Sequence, residues 1–336
     1  MGETRIPYFD ILRGLAIIMV MGIHTYIVAP FDSFSHAWSI NMRELLNFAV
    51  PLFLAISGFF IGHKELYNRG QYITFLKKQI PRVYIPLLIW SAPMVVLWVY
   101  NGQPLFSSVI KGVACAAFGP YYFICLIIQF YLIHPVISKA ANIKLGGAII
   151  IICNVASLFL FSHVITHYEL PFVMLVSPFI YWVAFYYLGV YFSRHNRDCS
   201  LSLPLVLLIL GAILQLMSEY ILATENDYIT SDITWRTYMH SVSAWAYESA
   251  AVMFLFSKKV ENTITKHTAG IAFISKLGTC SFGIYLCHVY FLEILNEFSI
   301  DYWVTRWLVL TTVSVCFILL LDAYLPHKVK RILGIN

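Results

Sequence analysis

The chain has 336 residues, of which 60% are hydrophobic, 16% aromatic and only 12% charged, with a formal net charge of +5. Soluble domains carry roughly 25% charged residues, so this chain has too few polar side chains to cover a water-exposed surface. A bilayer removes that requirement, because lipid is then the solvent for the outward face. The composition therefore excludes an ordinary soluble domain and predicts an integral membrane protein.

Apolar runs separated by polar breaks predict ten helices, each about as long as a bilayer crossing requires. Their approximate ranges are 11–30, 45–62, 83–100, 121–138, 145–162, 173–193, 203–223, 238–257, 271–295 and 303–325. The segment 102–120 is apolar but rich in Gly and Pro, which favours a re-entrant or interfacial segment. The predicted fold class is all-α: a polytopic transmembrane helix bundle of about ten spanning helices, forming one integral-membrane domain over residues 1–336.

The distribution of Lys and Arg predicts how this bundle is oriented. With the N-terminus in the cytosol, the outer segments hold four of the 22 basic residues, and the cytosolic side holds the other 18. Those four are Arg43, Lys111, Arg236 and Arg306. Because cytosolic segments of membrane proteins carry the excess of Lys and Arg, we expect the N-terminus and the C-terminus both to be cytosolic.

The first predicted helix carries three titratable groups, which are costly inside a membrane and mark candidate functional positions. Asp10 and Arg13 are three residues apart, so they share a face and can pair. His24 follows Arg13 by close to three helical turns, on the same face and about 16 Å further along the axis. A histidine there is suited to accept a proton from a hydroxyl. The alternative is an Asp–Arg pair that anchors the helix end and a histidine bonded to a neighbouring helix.

Later predicted helices add three more polar groups. His288 lies in the ninth helix with Tyr285 three residues before it, on the same face. Glu248 lies near the middle of the eighth helix and is expected to be protonated or paired if it is buried there. A structural hydrogen bond between helices is the alternative role for His288.

The loop predicted between the second and third helices is basic. It carries Lys64, Arg69, Lys77 and Lys78, and Arg82 begins the next helix. Basic residues at a cytosolic membrane surface satisfy topology and bind anionic lipid. The alternative is a site for phosphate groups such as those of coenzyme A, for which Arg and Lys supply charge-assisted hydrogen bonds.

Six segments, taken in order along the chain, resemble the acyltransferase-3 family of bacterial membrane acyltransferases. They are YFDILRGLAIIMVMGIH at 8–24, VPLFLAISGFF at 50–60, RVYIPLLIW at 82–90, YYFICLIIQFYLIHP at 121–135, YLGVYF at 187–192 and SFGIYLCH at 281–288. The most specific element is the family's pattern of Arg, ten residues and His in the first helix, met here by Arg13 and His24. The chain is similar to the compact single-domain members, which acetylate cell-surface polysaccharide units.

The resemblance implies a reaction and a location. An acyl group, usually acetyl, leaves cytosolic acyl-coenzyme A and ends on a hydroxyl of a glycan, a lipid-linked glycan or a related acceptor. The protein would then be an acetyl-CoA-dependent O-acetyltransferase, embedded among the lipids of the bacterial inner membrane. His24 is expected to be catalytic, either as a general base or by accepting the acetyl group covalently. Arg13 either orients this face of the helix through Asp10 or contacts coenzyme A.

The resemblance also implies a binding site for the acyl donor. Arg82, Lys77, Lys78 and Ser57 are the residues expected to contact coenzyme A. The family often has a second Arg shortly before the position of Arg82, where this chain offers only the two lysines. The residues expected to complete a polar core around the substrate are His288, Tyr285, Glu248 and Tyr122, the last at a position where the family often has Trp.

The main alternative function is a transporter or flippase for a lipid-linked glycan or its precursor, with the same polar core as the permeation path. Consumption of acetyl-CoA would distinguish the two, because a transporter would show none. The seven cysteines form no CxxC pair and no metal-ligand spacing, so no metal site is expected. No nucleic-acid partner is expected either.

Overall fold

The computed structural model describes residues 6–25, 34–64, 66, 68–198, 200–223, 233–265, 269–298, 300 and 302–335, and the secondary structure in these ranges is helical throughout. The first helices are α1 (Pro7–His24), α2 (Phe34–Leu46), α3 (Ala49–Gly62), α4 (Arg69–Tyr100), α5 (Leu105–Val113), α6 (Tyr122–Ala140) and α7 (Gly146–His167). They are followed by α8 (Phe172–Val176), α9 (Val183–Arg194), α10 (Ser202–Ala223), α11 (Ile233–Phe256), α12 (Lys258–Ile264), α13 (Ala269–Asn296), α14 (Trp303–Tyr324) and α15 (His327–Ile332).

Seven segments within the described ranges are long and apolar enough to cross a membrane. They are Pro7–His24, Ile40–Gly62, Arg69–Tyr100, Gly119–Ala140, Gly146–His167, Gly270–Asn296 and Trp303–Tyr324. The predicted all-α fold with membrane-spanning helices is thus confirmed. The other three predicted spans correspond to α9, α10 and α11, which are not among the seven. The count of ten crossings and the cytosolic placement of both termini stay predictions.

The centre of the bundle is α1, which packs along α13 in the same direction. Gly278 touches the backbone of Asp10 near one end, and the rings of His24 and His288 lie 5.4 Å apart nearer the other end. A Cβ atom on Gly278 would lie 1.7 Å from the backbone oxygen of Asp10, so this approach requires glycine. The close contact holds the face that carries Asp10 and His24 in register with α13.

The last long helix, α14, runs antiparallel to α1. The indole N–H groups of Trp303 and Trp307 donate to the backbone oxygens of Gly22 and Ile18, at 3.0 and 2.8 Å. Bonds of this kind satisfy polar groups that lipid cannot solvate. They fix the half of α1 that ends at His24.

The loop predicted at 62–81 is instead mostly helix. Asn68 caps the N-terminus of α4 by accepting a hydrogen bond from the backbone N–H of Gly70 at 2.8 Å. The helix then continues through Pro81, Pro86 and Pro93. Proline interrupts helices in soluble proteins, whereas a membrane bundle tolerates it because neighbouring groups satisfy the freed carbonyls. Lys77 and Lys78 therefore belong to a helix rather than to a loop.

The span predicted at 173–193 is a broken helix. The turn after α8 contains Pro178 and leads through a short 3₁₀ segment (Phe179–Tyr181) into α9, which has only 12 residues. The amide of Gln129 donates to the backbone oxygen of Ser177 at 2.7 Å, and its carbonyl oxygen accepts from the backbone N–H of Phe179 at 3.2 Å. Asn154 likewise forms hydrogen bonds with backbone groups on the other side of the break. These side chains replace the helical hydrogen bonds, which lets irregular backbone lie inside the bundle.

Between α4 and α6, the segment predicted to be re-entrant or interfacial contains α5. This helix has nine residues, too few to span a bilayer. Its apolar residues Leu105 and Phe106 are largely exposed.

Candidate active site

A continuous cavity of about 1160 Å³ lies among α1, α2, α3, α4, α6, α7, α9, α11 and α13. It exceeds the roughly 300–1,000 Å³ of a pocket for one small molecule. The residues predicted for the site that line it are Asp10, Arg13, His24, Ser57, Arg82, Tyr122, Glu248 and Tyr285. Groups scattered over more than 270 positions of sequence therefore meet at one cavity.

Three predicted site residues lie outside this lining. Lys77 and Lys78 are exposed on the surface of α4. His288 is fully buried, directly behind His24. Lys64 of the predicted basic loop does line the cavity near Arg82, and Gln79, for which the sequence pattern gives no signal, lines it as well.

One end of the cavity is lined by Asp10, Arg13, Lys64, Gln79 and Arg82, and is called here the Arg82 end. Arg13 contacts Asp10 with a 3.2 Å distance between Nη1 and Oδ1. Its guanidinium also lies over the ring of Phe60, 4.8 Å from the centroid, and this fixes the side chain from a second direction. Three cationic side chains face one carboxylate at this end, so it attracts anions.

His24 lines the cavity near the other end of α1, beside the buried ring of His288. Nδ1 of His288 lies 2.6 Å from the backbone oxygen of Tyr285. A carbonyl oxygen only accepts, so Nδ1 carries the proton, and in the neutral ring Nε2 is left as an acceptor. Nε2 is buried and has no hydrogen-bond partner among the described residues. An unused basic nitrogen thus lies behind the imidazole that faces the cavity.

The opposite end of the cavity contains a polar cluster around the buried carboxylate of Glu44. Its oxygens accept from Arg43 Nη2 at 3.1 Å, Asn47 Nδ2 at 3.0 Å and Gln215 Nε2 at 3.0 Å, and His240 Nε2 lies 3.6 Å away. All of these except Gln215 line the cavity. Leu46, at the end of α2, packs against Gly22, so the cluster adjoins the His24 end of α1.

One face of α11 continues this lining. The residues that form it recur at the spacing of successive helical turns. They are His240, Ser241, Ala244, Trp245 and Glu248. This face and the cluster around Glu44 are called here the Glu44 end. Of these residues only Glu248 is among the predicted site residues, although the spacing of His240, Trp245 and Glu248 on one helical face is visible in the sequence.

Aromatic side chains form the remaining wall. Tyr122 and Trp182 line the cavity with their ring centroids 6.2 Å apart, and Tyr181 lies beside them at the broken helix. The hydroxyl of Tyr285 donates to the backbone oxygen of Pro120, which ties α13 to the start of α6. The cavity therefore joins a cationic end, a central histidine and an end lined by aromatic and polar side chains.

Comparison with known proteins identifies the family. The acyltransferase-3 family model, described as an acyltransferase domain, matches residues 6–323. Searches of curated proteins and of solved structures gave no match. The matched range contains every cavity residue named above, and it confirms the resemblance seen in the six sequence segments. With its apolar helices, the chain is a membrane acyltransferase that belongs to the acyltransferase-3 family.

Proposed function

We propose that this protein transfers an acetyl group, or another short acyl group, from cytosolic acyl-coenzyme A to a hydroxyl of a cell-surface glycan or lipid-linked glycan. The feature that supports the proposal is the continuous cavity, which joins the cationic Arg82 end to His24 and then to the Glu44 end. A two-substrate reaction needs such a path, because donor and acceptor must reach the same base from different directions. In a bacterial cell the protein would lie in the inner membrane, with the Arg82 end facing the cytosol.

The Arg82 end suits the phosphate groups of coenzyme A. Arg13, Lys64 and Arg82 all line it, and Arg and Lys bind phosphate by charge-assisted hydrogen bonds. Lys64 is better placed for this role than Lys77 and Lys78, which are exposed on α4. The pantetheine arm would extend along α1 past Ser57, which carries the thioester towards His24.

His24 would act as the general base. Its unprotonated ring nitrogen takes the proton of the acceptor hydroxyl while that oxygen attacks the thioester carbonyl carbon. A C–O bond forms, the C–S bond breaks, and the sulfur leaves as a thiolate that receives the proton from the imidazolium. Positioned proton transfer of this kind contributes about 10²–10⁴ in rate. In the covalent alternative, the same nitrogen attacks the thioester carbonyl carbon and the C–S bond breaks, so coenzyme A leaves as the thiolate. The acceptor oxygen then takes the acyl group from the imidazole, and the hydroxyl proton goes to the thiolate.

The test is acetyl transfer in liposomes that contain the purified protein. Radiolabelled acetyl-CoA is supplied to the wild type, to His24→Ala and to His163→Ala, whose exposed ring on α7 lies outside the cavity lining. We expect wild type and His163→Ala to consume acetyl-CoA at similar rates, and His24→Ala to lose at least about 100-fold.

Near-normal acetylation by His24→Ala would exclude both the general-base role and the covalent role. A wild-type protein that neither consumes acetyl-CoA nor binds coenzyme A would instead support the transporter or flippase. The matched histidine control separates loss of the base from a general effect of removing an imidazole from a membrane helix.

A further inference from the structure

The Glu44 end has a chemistry of its own, distinct from that of the Arg82 end. We propose that it is the acceptor subsite, and that it binds a neutral, hydroxyl-bearing sugar ring rather than a phosphate or other anionic group. This inference rests on the proposed function, because it concerns the second substrate of the same cavity.

Charge is the first argument. Two carboxyl groups, those of Glu44 and Glu248, line this end, and Arg43 forms an ion pair with Glu44 at 3.1 Å. The described residues that line this end thus carry no excess of cations over carboxyl groups. The Arg82 end, in contrast, has three cationic side chains and one carboxylate. Among the described residues that line this end, an anionic group would meet one arginine, Arg43, whose charge Glu44 already balances, so burying the group there would leave its own charge uncompensated. A neutral polyol meets no such cost.

Hydrogen-bonding capacity is the second argument. The indole Nε1 of Trp245 is a donor that is buried and has no partner in the described part of the chain. Leaving such a donor unpaired costs about 1–3 kcal/mol, so an oxygen atom of a ligand is a natural partner. Three residues further along the same helix, the carboxyl group of Glu248 offers oxygens that accept from hydroxyl groups. A sugar hydroxyl both donates and accepts, and so it can serve both side chains.

The aromatic wall is the third argument. Tyr122, Tyr181, Trp182 and Trp245 all line the cavity. A pyranose ring has an apolar face of C–H groups, and aromatic side chains cover such a face with a large, rigid contact area. A few polar groups converging in an aromatic pocket is the usual design for a small neutral ligand.

The position of the Glu44 end next to His24 is the fourth argument. Leu46 at the end of α2 packs against Gly22, two residues before His24. A sugar ring held between Trp245, Glu248 and the Glu44 cluster would therefore present a hydroxyl next to the base. The donor approaches the same imidazole from the Arg82 end.

The experiment measures transfer of labelled acetyl from acetyl-CoA to soluble probes by the full chain in nanodiscs, which leave both faces accessible. The neutral probes are methyl β-glucoside and methyl N-acetyl-β-glucosaminide, and the anionic probes are methyl β-glucuronide and glucose 1-phosphate. The variants are Trp245→Phe and Glu248→Gln. Trp235→Phe is the matched control, since Trp235 lies on the same helix, is 51% exposed and does not line the cavity.

We expect a neutral probe to be acetylated with a kcat/KM at least about tenfold above that of either anionic probe. Trp245→Phe and Glu248→Gln should raise the KM for that probe about fivefold or more, with the KM for acetyl-CoA unchanged. Trp235→Phe should alter neither KM. An unchanged KM for acetyl-CoA also shows that the variants are folded, and two independent variants guard against the misfolding of one.

Three results would overturn the inference while the proposed function stands. They are preference for an anionic probe, consumption of acetyl-CoA without acetylation of any probe, and an unchanged probe KM in both variants. A wild-type protein that consumes no acetyl-CoA would instead overturn the proposed function, and the acceptor subsite with it.

Discussion

His288 lies behind His24, and its hydrogen bonding predicts a role in positioning the His24 ring. The proton on Nδ1 of His288 is committed to the backbone oxygen of Tyr285 at 2.6 Å, which leaves Nε2 as a buried acceptor. The ring centroids of His24 and His288 lie 5.4 Å apart. At this distance, rotation of the His24 side chain brings one of its ring nitrogens within hydrogen-bond reach of Nε2 of His288. We predict that His288 accepts a hydrogen bond from His24 during turnover. This would leave the second nitrogen of His24 unprotonated towards the cavity.

Two substitutions at His288 test this positioning role. His288→Gln keeps a side-chain oxygen that can accept from His24, whereas His288→Leu removes the acceptor and keeps most of the volume. We expect His288→Leu to lower kcat for acetyl transfer about 10–100-fold with the KM for acetyl-CoA unchanged, and His288→Gln to restore much of it. An equal loss of kcat in both variants, or a rise in KM, would show that His288 only supports packing.

Three of the predicted site residues that line the cavity come from a single helix. Asp10, Arg13 and His24 lie on one short helix, where residue spacing translates directly into a shared face. The Glu44 cluster does not have this property. Its members lie on α2, between α2 and α3, and on α10 and α11, and nothing local to Glu44 indicates that Gln215 would reach it at 3.0 Å. Contacts between distant helices depend on packing, which periodicity does not contain.

At the scale of single elements, the break between α8 and α9 is the clearest departure from the sequence pattern. Apolar residues on both sides of Pro178 favoured one continuous span over 173–193. The backbone groups freed by the break bind Asn154, whose Nδ2 donates to the oxygens of Ile180 and Tyr181 at 3.1 and 2.9 Å. Its Oδ1 accepts from the backbone N–H of Ala184 at 3.1 Å. Because Asn154 lies on another helix, local propensity could not predict the break.

This arrangement predicts that Asn154 supports both stability and activity. Asn154→Leu would remove three hydrogen bonds to the backbone, of whose acceptors and donors in the described part of the chain only the oxygen of Ile180 keeps another partner, Ser157 Oγ at 3.0 Å. We expect a loss of about 1–3 kcal/mol and a lower midpoint of thermal unfolding in detergent. Cys153→Leu, which adds an apolar side chain at the exposed neighbouring position, is the control. Acetyl transfer should also fall in Asn154→Leu, since Tyr181 lines the cavity. Unfolding midpoints that coincide in the two variants would contradict this role.

Across the whole molecule, the start of α1 and the end of α14 lie on the same side of the bundle. Asp322, near the end of α14, contacts Lys276 of α13 at 2.5 Å and Lys330 of α15 at 3.0 Å. Two residues beyond Lys276, Gly278 touches the backbone of Asp10 near the start of α1. Helix α1 therefore begins, and helix α14 ends, on the same side of the bundle. This is the side of the Arg82 end.

This geometry bears on the number of crossings. An even number returns the chain to the side where it started, as the predicted ten helices do, whereas seven crossings would place the termini on opposite sides. In the predicted ten-helix arrangement, Lys and Arg are concentrated in the segments on the side of the termini, and such an excess marks the cytosolic side. We therefore predict that the broken segment of α8 and α9, α10 and α11 all cross the membrane, which gives ten crossings, with the segment between α10 and α11 outside the cytosol.

Reporter fusions test this topology and the direction of the reaction together. A phosphatase that is active only outside the cytosol should be inactive when fused after Leu333 and active when inserted within 224–230, and a fluorescent protein that matures only in the cytosol should give the reverse pattern. The positive-inside excess, with four of 22 basic residues on the outer side, is the reason to expect this outcome. An active phosphatase at the C-terminus would turn the Arg82 end away from the cytosol. Acetyl-CoA, which is confined to the cytosol, would then have no route to Arg82, so the topology and the donor assignment would fail together.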